Sequence, residues 1–342
     1  MNCIDHGVGK SSWAFASHPG YRRMFASDEL TLGIFLPLRF YQGDMAVLAG
    51  QAQMVRDIDR LGFAAVWVRD VPLFDPAFGD AGQVFDPFTY LAFLAAQTKT
   101  IALATGSAIF SLRHPIDLAK ASATIDQLSG GRLVLGIASG DRPLEFPAYG
   151  LQHAERGERF AQAVAYFRQL TGGQTPVVDS PLGRITGAEF LPQPVAGVIP
   201  LMVTGSSRQS PAWIAEQADG WLTFPEATHT PEGPKRLAAK IQAWRGLIAD
   251  GGFRPHMTNE WLDLVDDPNH PRTPIQGGYV LRTGRKGLIE LLGEWRAAGV
   301  NHAALGIQFS QRPAAEVVQE LAEEVLPLFP SHPGPAGFKV AW

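Results

Sequence analysis

The stretch "TIALATGSAIFSLRHPIDLAKASATIDQLSGGRLVLGIAS" (residues 100–139) contains one complete strand–helix–strand unit. The apolar run over 100–107 predicts a strand, and Pro115, which suits a first helical turn, opens a predicted helix that extends to Leu128. A Ser-Gly-Gly turn then precedes a second apolar run over 132–139. Two unbroken apolar runs joined by a helix are typical of parallel strands buried on both faces.

The same alternation continues in both directions along the chain. The other predicted strands cover 31–36, 64–69, 199–204, 219–224, 258–265 and 302–308, which makes eight in all. Further helices are predicted from Asp44, a suitable N-cap, to Gly62, near Phe88–Gln97, and near Ala154–Leu170. Eight β/α repeats predict an α/β fold of the (β/α)8 TIM barrel type. The alternative is a doubly wound sheet, but "PLRFYQGDM" (37–45) lacks the G-x-G-x-x-G motif expected after its first strand.

The expected domain organisation is one barrel with short extensions. Residues 1–28 form an N-terminal arm, 29–330 the barrel, and 331–342 a C-terminal tail. An insertion at about 174–198, rich in Pro, Gly and Val, is expected to form a hairpin over the barrel rim.

Composition restricts the classes of function. The 342 residues are 46% apolar with a net charge of −4 and no dense Lys/Arg run, so an extended nucleic-acid surface is not expected. Cys3 is the only cysteine, which excludes an internal disulfide and a thiolate metal site, and the nine histidines show no metal-ligand spacing. Because the chain has neither the apolar core of a signal peptide nor about 18 consecutive apolar residues, we expect a cytoplasmic protein without a membrane partner.

The predicted strands end in small and polar residues. In a β/α barrel the active site lies at the carboxyl ends of the strands. These ends carry Leu36, Asp70, Gly106–Ser107, Ser139–Gly140–Asp141, Gly205–Ser210 and Phe224. Glycines and small hydroxyl residues at these positions allow a flat ligand to approach the backbone.

The segment "VTGSSRQSPAW" (203–213) is the strongest candidate for an anion site among these ends. Gly205 permits a tight turn, and the hydroxyls of Ser206, Ser207 and Ser210 precede a predicted helix whose first N–H groups lack partners. Arg208 adds a positive charge. The alternative is that these serines only cap the helix.

Three motifs, in order, carry a resemblance to a known family: "GFAAVWVRD" (62–70), "RHPIDLAKASATIDQLSGGRLVLGIASGD" (113–141) and "VTGSSRQSPAWIAEQADGW" (203–221). The chain resembles the bacterial luciferase-like flavin monooxygenases over roughly residues 30–330, and the most specific part is "AKASATIDQLSGGRLVLG" (119–136). "GVNHAALGI" (299–307) is similar to the last strand of that family.

The resemblance implies a barrel that binds a flavin, either FMN or, in one branch, a deazaflavin. It places the flavin phosphate on Ser206, Ser207 and Ser210, with Ser139, Gly140 and Asp141 contributing. It also implies a non-proline cis peptide at Gly106–Ser107 and an acidic residue, Asp70, near the ring system. Leu36, Gly205 and Arg208 complete the expected cofactor site.

The chain departs from the luciferases at two catalytic positions. Val71 and Pro72 follow the acidic residue where the luciferases have a catalytic histidine, and Ala138 matches their reactive cysteine. Light-emitting oxidation of a long-chain aldehyde is therefore not expected. The candidates for proton transfer are Asp70, His114 and Glu145, with helix capping as the alternative for His114. Arg113 and Arg142 are candidate anion partners. The apolar candidates for either pocket wall or core are Phe35, Leu36, Phe40, Phe74, Phe110 and Phe224.

The expected function is an FMN-dependent monooxygenase. It would use O2 and reduced FMN, supplied by a separate flavin reductase, on a small organic substrate, and would pair as a homodimer through outer helices. The first alternative is a deazaflavin-dependent hydride-transfer oxidoreductase, whose longer acidic cofactor needs more positive charge than Arg208 and Arg113 provide. The second is a flavin-binding protein without turnover.

Overall fold

Eight parallel strands close into a barrel, as the apolar runs predict. The structure is a computed structural model that describes residues 15, 17–38, 50–75 and 85–333. The strands, in chain order, are β1 (Thr31–Phe35), β2 (Ala65–Val68), β3 (Ala102–Ile109), β4 (Leu133–Ala138), β5 (Val178–Ser180), β6 (Gly183–Ile185), β7 (Leu201–Thr204), β8 (Gly220–Leu222), β9 (His256–Leu264), β10 (Thr273–Ile275), β11 (Val280–Thr283) and β12 (His302–Gly306). The barrel order is β1-β2-β3-β4-β7-β8-β9-β12, and β12 pairs with β1 to close it. The second layer consists of helices.

The helices, in chain order, are α1 (Pro19–Met24), α2 (Gln51–Leu61), α3 (Pro87–Gln97), α4 (Pro115–Ser129), α5 (Glu145–Ala148), α6 (Arg156–Thr171), α7 (Pro211–Gln217), α8 (Glu232–Arg245), α9 (Arg285–Ala297) and α10 (Ala314–Glu320). The caps predicted from sequence are found where the structure describes them, for example Pro115 in the first turn of α4 and Gly62 in a left-handed conformation after α2. The predicted N-cap Asp44 lies outside the described residues. None of the helices in the described ranges is long and apolar enough to cross a membrane.

The alternation of each strand divides the core into two parts. Trp67, Ala104 and Met202 belong to a cluster inside the barrel, whereas Ile34 and Val66 pack against the helix layer. Because successive side chains of a strand point to opposite faces, this parity determines which residues at the strand ends reach the cavity.

A network of hydrogen bonds lies inside the barrel and involves β1, β2 and β12. Trp67 Nε1 donates to His302 Nε2 at 2.9 Å, and His302 Nδ1 lies 2.7 Å from Thr31 Oγ1. Complete burial lowers the pKa of His302 to about 3, so the ring is neutral. A Cβ added at Gly33 would lie 2.6 Å from His302 Nε2, so this strand position requires glycine.

The segment before β1 closes the amino end of the barrel. Phe15, Tyr21, Met24 and Phe25 join the interior cluster, and Thr31 Oγ1 donates to the Met24 carbonyl at 2.7 Å. The described part of the expected N-terminal arm is thus part of the barrel core.

The insertion contains the expected hairpin, β5–β6, which lies beside the start of α4. His114 Nε2 bonds with the Leu182 carbonyl at 2.8 Å at the start of α4, and Val195 N donates to Asp126 Oδ2 at 2.8 Å near its end. The insertion therefore runs along the outside of α4 and does not cover the barrel mouth.

Candidate active site

A cavity of about 660 Å³ opens at the carboxyl ends of the barrel strands. Ten residues predicted for the site line it: Asp70, Gly106, Ser107, Ser139, Gly140, Asp141, Gly205, Ser206, Ser207 and Arg208. The structure thus brings together the ends of β2, β3, β4 and β7, as the barrel topology predicts.

The loop Gly205–Arg208, which we call the anion cradle, lines one side of this cavity. Gly205, Ser207 and Arg208 have φ of 57°, 43° and 63°, and left-handed turns of this kind can direct backbone N–H groups into a concavity that favours anions. Gly205 N donates to the Leu222 carbonyl at 2.7 Å and Arg208 N to Ser206 Oγ at 3.3 Å, which leaves the N–H groups of Ser206 and Ser207 as the candidate donors to an anion in this turn. Trp221 Nε1 donates to the Gly205 carbonyl at 2.7 Å, and Ser207 Oγ donates to the Thr204 carbonyl at 2.7 Å. A Cβ added at Gly205 would meet no atom within 4 Å, so this position faces open space.

Arg156 and Arg208 add positive charge beside the cradle. A Cβ added at Gly157 would lie 2.7 Å from Arg208 Cβ, so the start of α6 packs directly on the loop. Burial and the charge of Arg208 both lower the pKa of Arg156. Within the described ranges neither arginine has a carboxylate at ion-pair distance. Two neighbouring guanidinium groups next to a backbone cradle fit a phosphate dianion.

Ser210 does not share in this cradle. Its hydroxyl caps α7 by accepting from Trp213 N at 3.2 Å, and it is absent from the cavity lining. The capping alternative therefore applies to Ser210, whereas Ser206 and Ser207 line the cavity.

Leu36 does not reach the cavity, contrary to the sequence expectation. It shares its face with Leu32 and Ile34 and is fully buried against the helix layer, whereas its neighbour Phe35 lines the cavity. The parity of β1 explains this correction.

The third strand, β3, contains the expected cis peptide bond between Gly106 and Ser107, three residues before its last residue, Ile109. Ser107 Oγ is hydrogen-bonded to Thr204 Oγ1, which joins the ends of β3 and β7 across the barrel mouth. Both glycine and serine line the cavity.

Asp70 and Arg113 form a buried pair. Arg113 donates to both carboxylate oxygens of Asp70, with Nη2 at 2.8 Å from Oδ1. Ile109 N also donates to Asp70 Oδ2, at 2.9 Å. Burial raises the pKa of Asp70, and the donors from Arg113 and Ile109 oppose that rise. Burial lowers the pKa of Arg113, but the ion pair outweighs it and raises the pKa above its ordinary value. Arg113 is therefore committed to Asp70 and is not available as an anion partner in the cavity, contrary to expectation.

His114 caps α4. Its Nδ1 accepts from Ile116 N at 3.2 Å, and its Nε2 bonds with the Leu182 carbonyl, so both ring nitrogens have structural partners. Because His114 is also absent from the cavity lining, the geometry favours capping over proton transfer.

Glu145 lies behind the cavity wall rather than in it. It is buried at the start of α5, and one carboxylate oxygen, Oε1, has no hydrogen-bond partner. Burial raises its pKa to about 7, against the opposing charge of Arg142. Arg142 itself lines the cavity. Of the three candidates for proton transfer, Asp70, His114 and Glu145, only Asp70 lines the cavity.

Several lining residues are absent from the sequence expectation. They are Arg69, Val71, Ile109, Arg156, Asn259, Trp261, Gln276 and Tyr279. Alternation along the predicted strand 258–265 places Asn259 and Trp261 on one face, and that signal was available. No comparable signal marks Gln276 and Tyr279, which lie in and after a 3-10 turn between β10 and β11.

Of the apolar pocket candidates, Phe35 and Phe224 line the cavity. Leu36 and Phe110 belong to the core, and Phe74 is exposed outside the lining. Phe40 lies outside the described residues.

Comparisons with known proteins agree with the barrel fold. A family model described as luciferase-like monooxygenase matches residues 30–255. An uncharacterised protein of Mycobacterium tuberculosis strain H37Rv is 31% identical over 184 residues, which are 52% of this chain and 64% of that protein. The chain thus spans less than two thirds of the length of this curated relative.

Three solved structures share the fold. A monooxygenase, RslO1, from Streptomyces bottropensis aligns with a TM-score of 0.73 at 21% identity, covering 87% of this chain and 99% of that one. An F420-dependent secondary alcohol dehydrogenase aligns with a TM-score of 0.70 at 18% identity, covering 87% and 98%. The oxygenating constituent of 3,6-diketocamphane monooxygenase from Pseudomonas putida, in complex with FMN, aligns at 0.68 and 14% identity, covering 88% and 99%.

Proposed function

Because the chain belongs to the luciferase-like monooxygenase family, we propose that it is a flavin-dependent oxidoreductase whose cofactor is FMN. The proposed reaction is a monooxygenation in which reduced FMN, supplied by a separate flavin reductase, and O2 act on a small organic substrate.

The anion cradle carries this proposal. Left-handed residues in the loop Gly205–Arg208, together with the Arg156 and Arg208 guanidinium groups, offer both backbone donors and charge to one phosphate. A single terminal phosphate matches this compact, one-sided arrangement.

The residues of this chain would bind and orient the cofactor. The cradle would hold the phosphate, and the small residues Gly106 and Ser107 would leave space for a flat ring system at the end of β3. When bound, the flavin supplies the redox chemistry, and the barrel supplies position and exclusion of water. The Asp70–Arg113 pair would keep the ends of β2 and β3 together beneath it.

The second candidate function is deazaflavin-dependent hydride transfer, and one observation favours it. Four arginines line the cavity, namely Arg69, Arg142, Arg156 and Arg208, which is more positive charge than the sequence analysis assigned to this site. A cofactor with a longer acidic tail would use additional cations of this kind.

Parallel titrations of the purified protein with FMN and F420 distinguish the two candidates. We expect FMN to bind, and replacing Arg208 or Arg156 by Met to weaken FMN binding about tenfold or more through loss of a charge-assisted contact. Arg184→Met is the matched control, because Arg184 is 71% exposed on the β5–β6 hairpin. Binding of F420 without FMN would transfer the proposal to the second candidate.

Oxygen consumption tests turnover. With reduced FMN and a substrate panel, an oxygenase yields an oxygenated product, whereas a flavin-binding protein without turnover releases flavin that is oxidised with no product. The product is measured by mass spectrometry with labelled O2.

A further inference from the structure

Four aromatic residues form a wall on the side of the cavity away from Arg156. They are Phe35, Phe224, Trp261 and Tyr279, and we call them the aromatic wall. Phe35 ends β1 and Trp261 lies on β9, whereas Arg156 follows β4 and the cradle follows β7. In the barrel order, two strands separate β1 and β9 from β4, so Phe35 and Trp261 lie across the mouth from Arg156. Only β8 separates β9 from β7, and Phe224 follows β8, so Phe224 is the member of the wall that lies nearest the cradle.

Two residues of the aromatic wall are buried and two are exposed to solvent. Phe35 and Trp261 are only 4% and 6% exposed, and their rings are 5.4 Å apart. Tyr279 stacks on Trp261 with ring centroids 5.9 Å apart and an interplanar angle of 30°, yet it remains 43% exposed. Phe224 is 61% exposed at the other edge. When a ligand covers exposed aromatic rings in a concave site and removes them from water, the free energy of binding becomes more favourable.

The rings of the wall and the amides beside them are uncharged, and Arg69, which lies beside Trp261, favours an electron-rich ligand. The Arg69 guanidinium lies 5.6 Å from the centre of the Trp261 ring, in a cation–π arrangement. Asp70 is bound by Arg113, and Asp141 belongs to the β4 side of the cavity. The other polar side chains at the wall are the neutral amides of Asn259 and Gln276, which can bond with a hydroxyl or carbonyl group.

We propose that the aromatic wall is the substrate subsite and that it accepts a planar, neutral aromatic molecule bearing a hydroxyl or carbonyl group. This inference rests on the proposed function, since it assigns the space left beside the cofactor. A flat π face would stack on the exposed parts of the Tyr279 and Phe224 rings.

A pair of probes with the same carbon skeleton tests the proposal. 2-Naphthol and its saturated analogue decahydro-2-naphthol are titrated calorimetrically into the full chain, with and without saturating FMN. We expect 2-naphthol to bind about tenfold more tightly than the saturated alcohol, because only the planar ring stacks. We also expect FMN to leave this affinity in place. Equal affinity for the two alcohols, or loss of 2-naphthol binding when FMN is present, overturns the proposal, and the second result assigns the wall to the cofactor.

Variants of Tyr279 separate stacking from folding. Tyr279→Leu is expected to reduce 2-naphthol affinity about fivefold to tenfold, and Tyr279→Phe to retain it. FMN affinity, read by flavin fluorescence, is expected to be the same in both variants. If Tyr279→Leu binds 2-naphthol as the parent does, the wall is not the subsite. A protein that binds 2-naphthol in this pattern but never binds FMN would contradict the proposed function while showing that the aromatic wall binds planar aromatic molecules.

Discussion

Glu260 illustrates how one residue of offset along a strand separates two environments. Its neighbours Asn259 and Trp261 line the cavity, whereas Glu260 alternates to the opposite face and is 4% exposed. Burial raises its pKa to about 8, although hydrogen bonds from Thr228 and from Trp261 N, at 3.0 Å, oppose that rise. The folded protein therefore holds this proton more firmly than the unfolded chain does.

This shift predicts a contribution from Glu260 that lowers the free energy of unfolding as pH rises from about 4.5 to about 8. Glu145 contributes in the same sense, whereas the lowered pKa values of His256 and His302 contribute in the opposite sense up to about pH 6.5, so the Glu260 contribution is read as a difference between the parent and a variant. In that window Glu260 holds its proton in the folded state more than in the unfolded state. Its contribution to stability is therefore fully present below about pH 4.5 and is lost as pH rises to its folded-state pKa of about 8. The slope approaches about 1.4 kcal/mol per pH unit. Urea unfolding measured across this pH range, for the parent and for Glu260→Gln, should show this contribution. The free energy of unfolding of the parent should fall relative to that of the variant as pH rises. An unchanged slope in the variant would assign the pH dependence to another group.

Asp70→Asn should destabilise the protein by about 3 kcal/mol, because it leaves the Arg113 guanidinium beside a neutral amide in a buried site. Asp179→Asn is the matched control. It removes an ion pair to Arg184 in which both side chains are more than 70% exposed, and such pairs contribute about 0–1 kcal/mol. Chemical denaturation of both variants tests the difference, and equal losses would mean that burial does not govern this pair.

At the scale of elements, α4 and the insertion depend on each other. His114 begins the helix and also bonds with the hairpin at Leu182, while Asp126 near the helix end accepts from Val195. The insertion is thus fixed to one helix at two points.

His114→Ala tests the capping role. We expect a loss of about 1 kcal/mol in unfolding free energy, which is typical of removing a helix cap, and no change in turnover per folded molecule. Stability is measured by denaturation and turnover at saturating flavin. A fall in turnover of several orders of magnitude at unchanged stability would restore the proton-transfer interpretation.

Strands buried on both faces could be predicted from the sequence. The direction in which the side chains at the strand ends point, into the cavity or towards the helices, could not. Uninterrupted apolar runs such as 132–139 allow strands to be found from sequence alone, since few other structures bury every side chain. The same lack of polar alternation hides which face is inward, and for this reason the sequence places Leu36 in the cofactor site and leaves Phe35 as either pocket wall or core, whereas in the structure Phe35 lines the cavity and Leu36 does not. The cradle was predicted because glycine and hydroxyl residues mark it locally. Arg113 was misassigned because its partner Asp70 lies 43 residues away in sequence.

At the scale of the whole molecule, the two barrel ends have separate tasks. The carboxyl end carries the cavity, and the amino end is closed by α1 and the residues around it. This division resembles that of other β/α barrels, where one face serves stability and the other serves chemistry.

Met24→Ala should therefore destabilise the chain without weakening the cofactor site. Met24 is fully buried in the interior cluster, and truncating such a side chain costs about 2–5 kcal/mol. FMN affinity below the unfolding transition should equal that of the parent, because the cavity is at the opposite end. Thermal unfolding and flavin titration measure the two quantities, and a parallel loss of affinity would show that the ends are coupled.

Closure through β1 and β12 also has a consequence for synthesis. The backbone partners of Thr31–Ile34 include His302–Leu305, so the first barrel strand to leave the ribosome lacks one neighbour until about 270 further residues have emerged. During translation this unpaired edge can attract other nascent chains, and protection by a chaperone would matter most just before residue 305 appears.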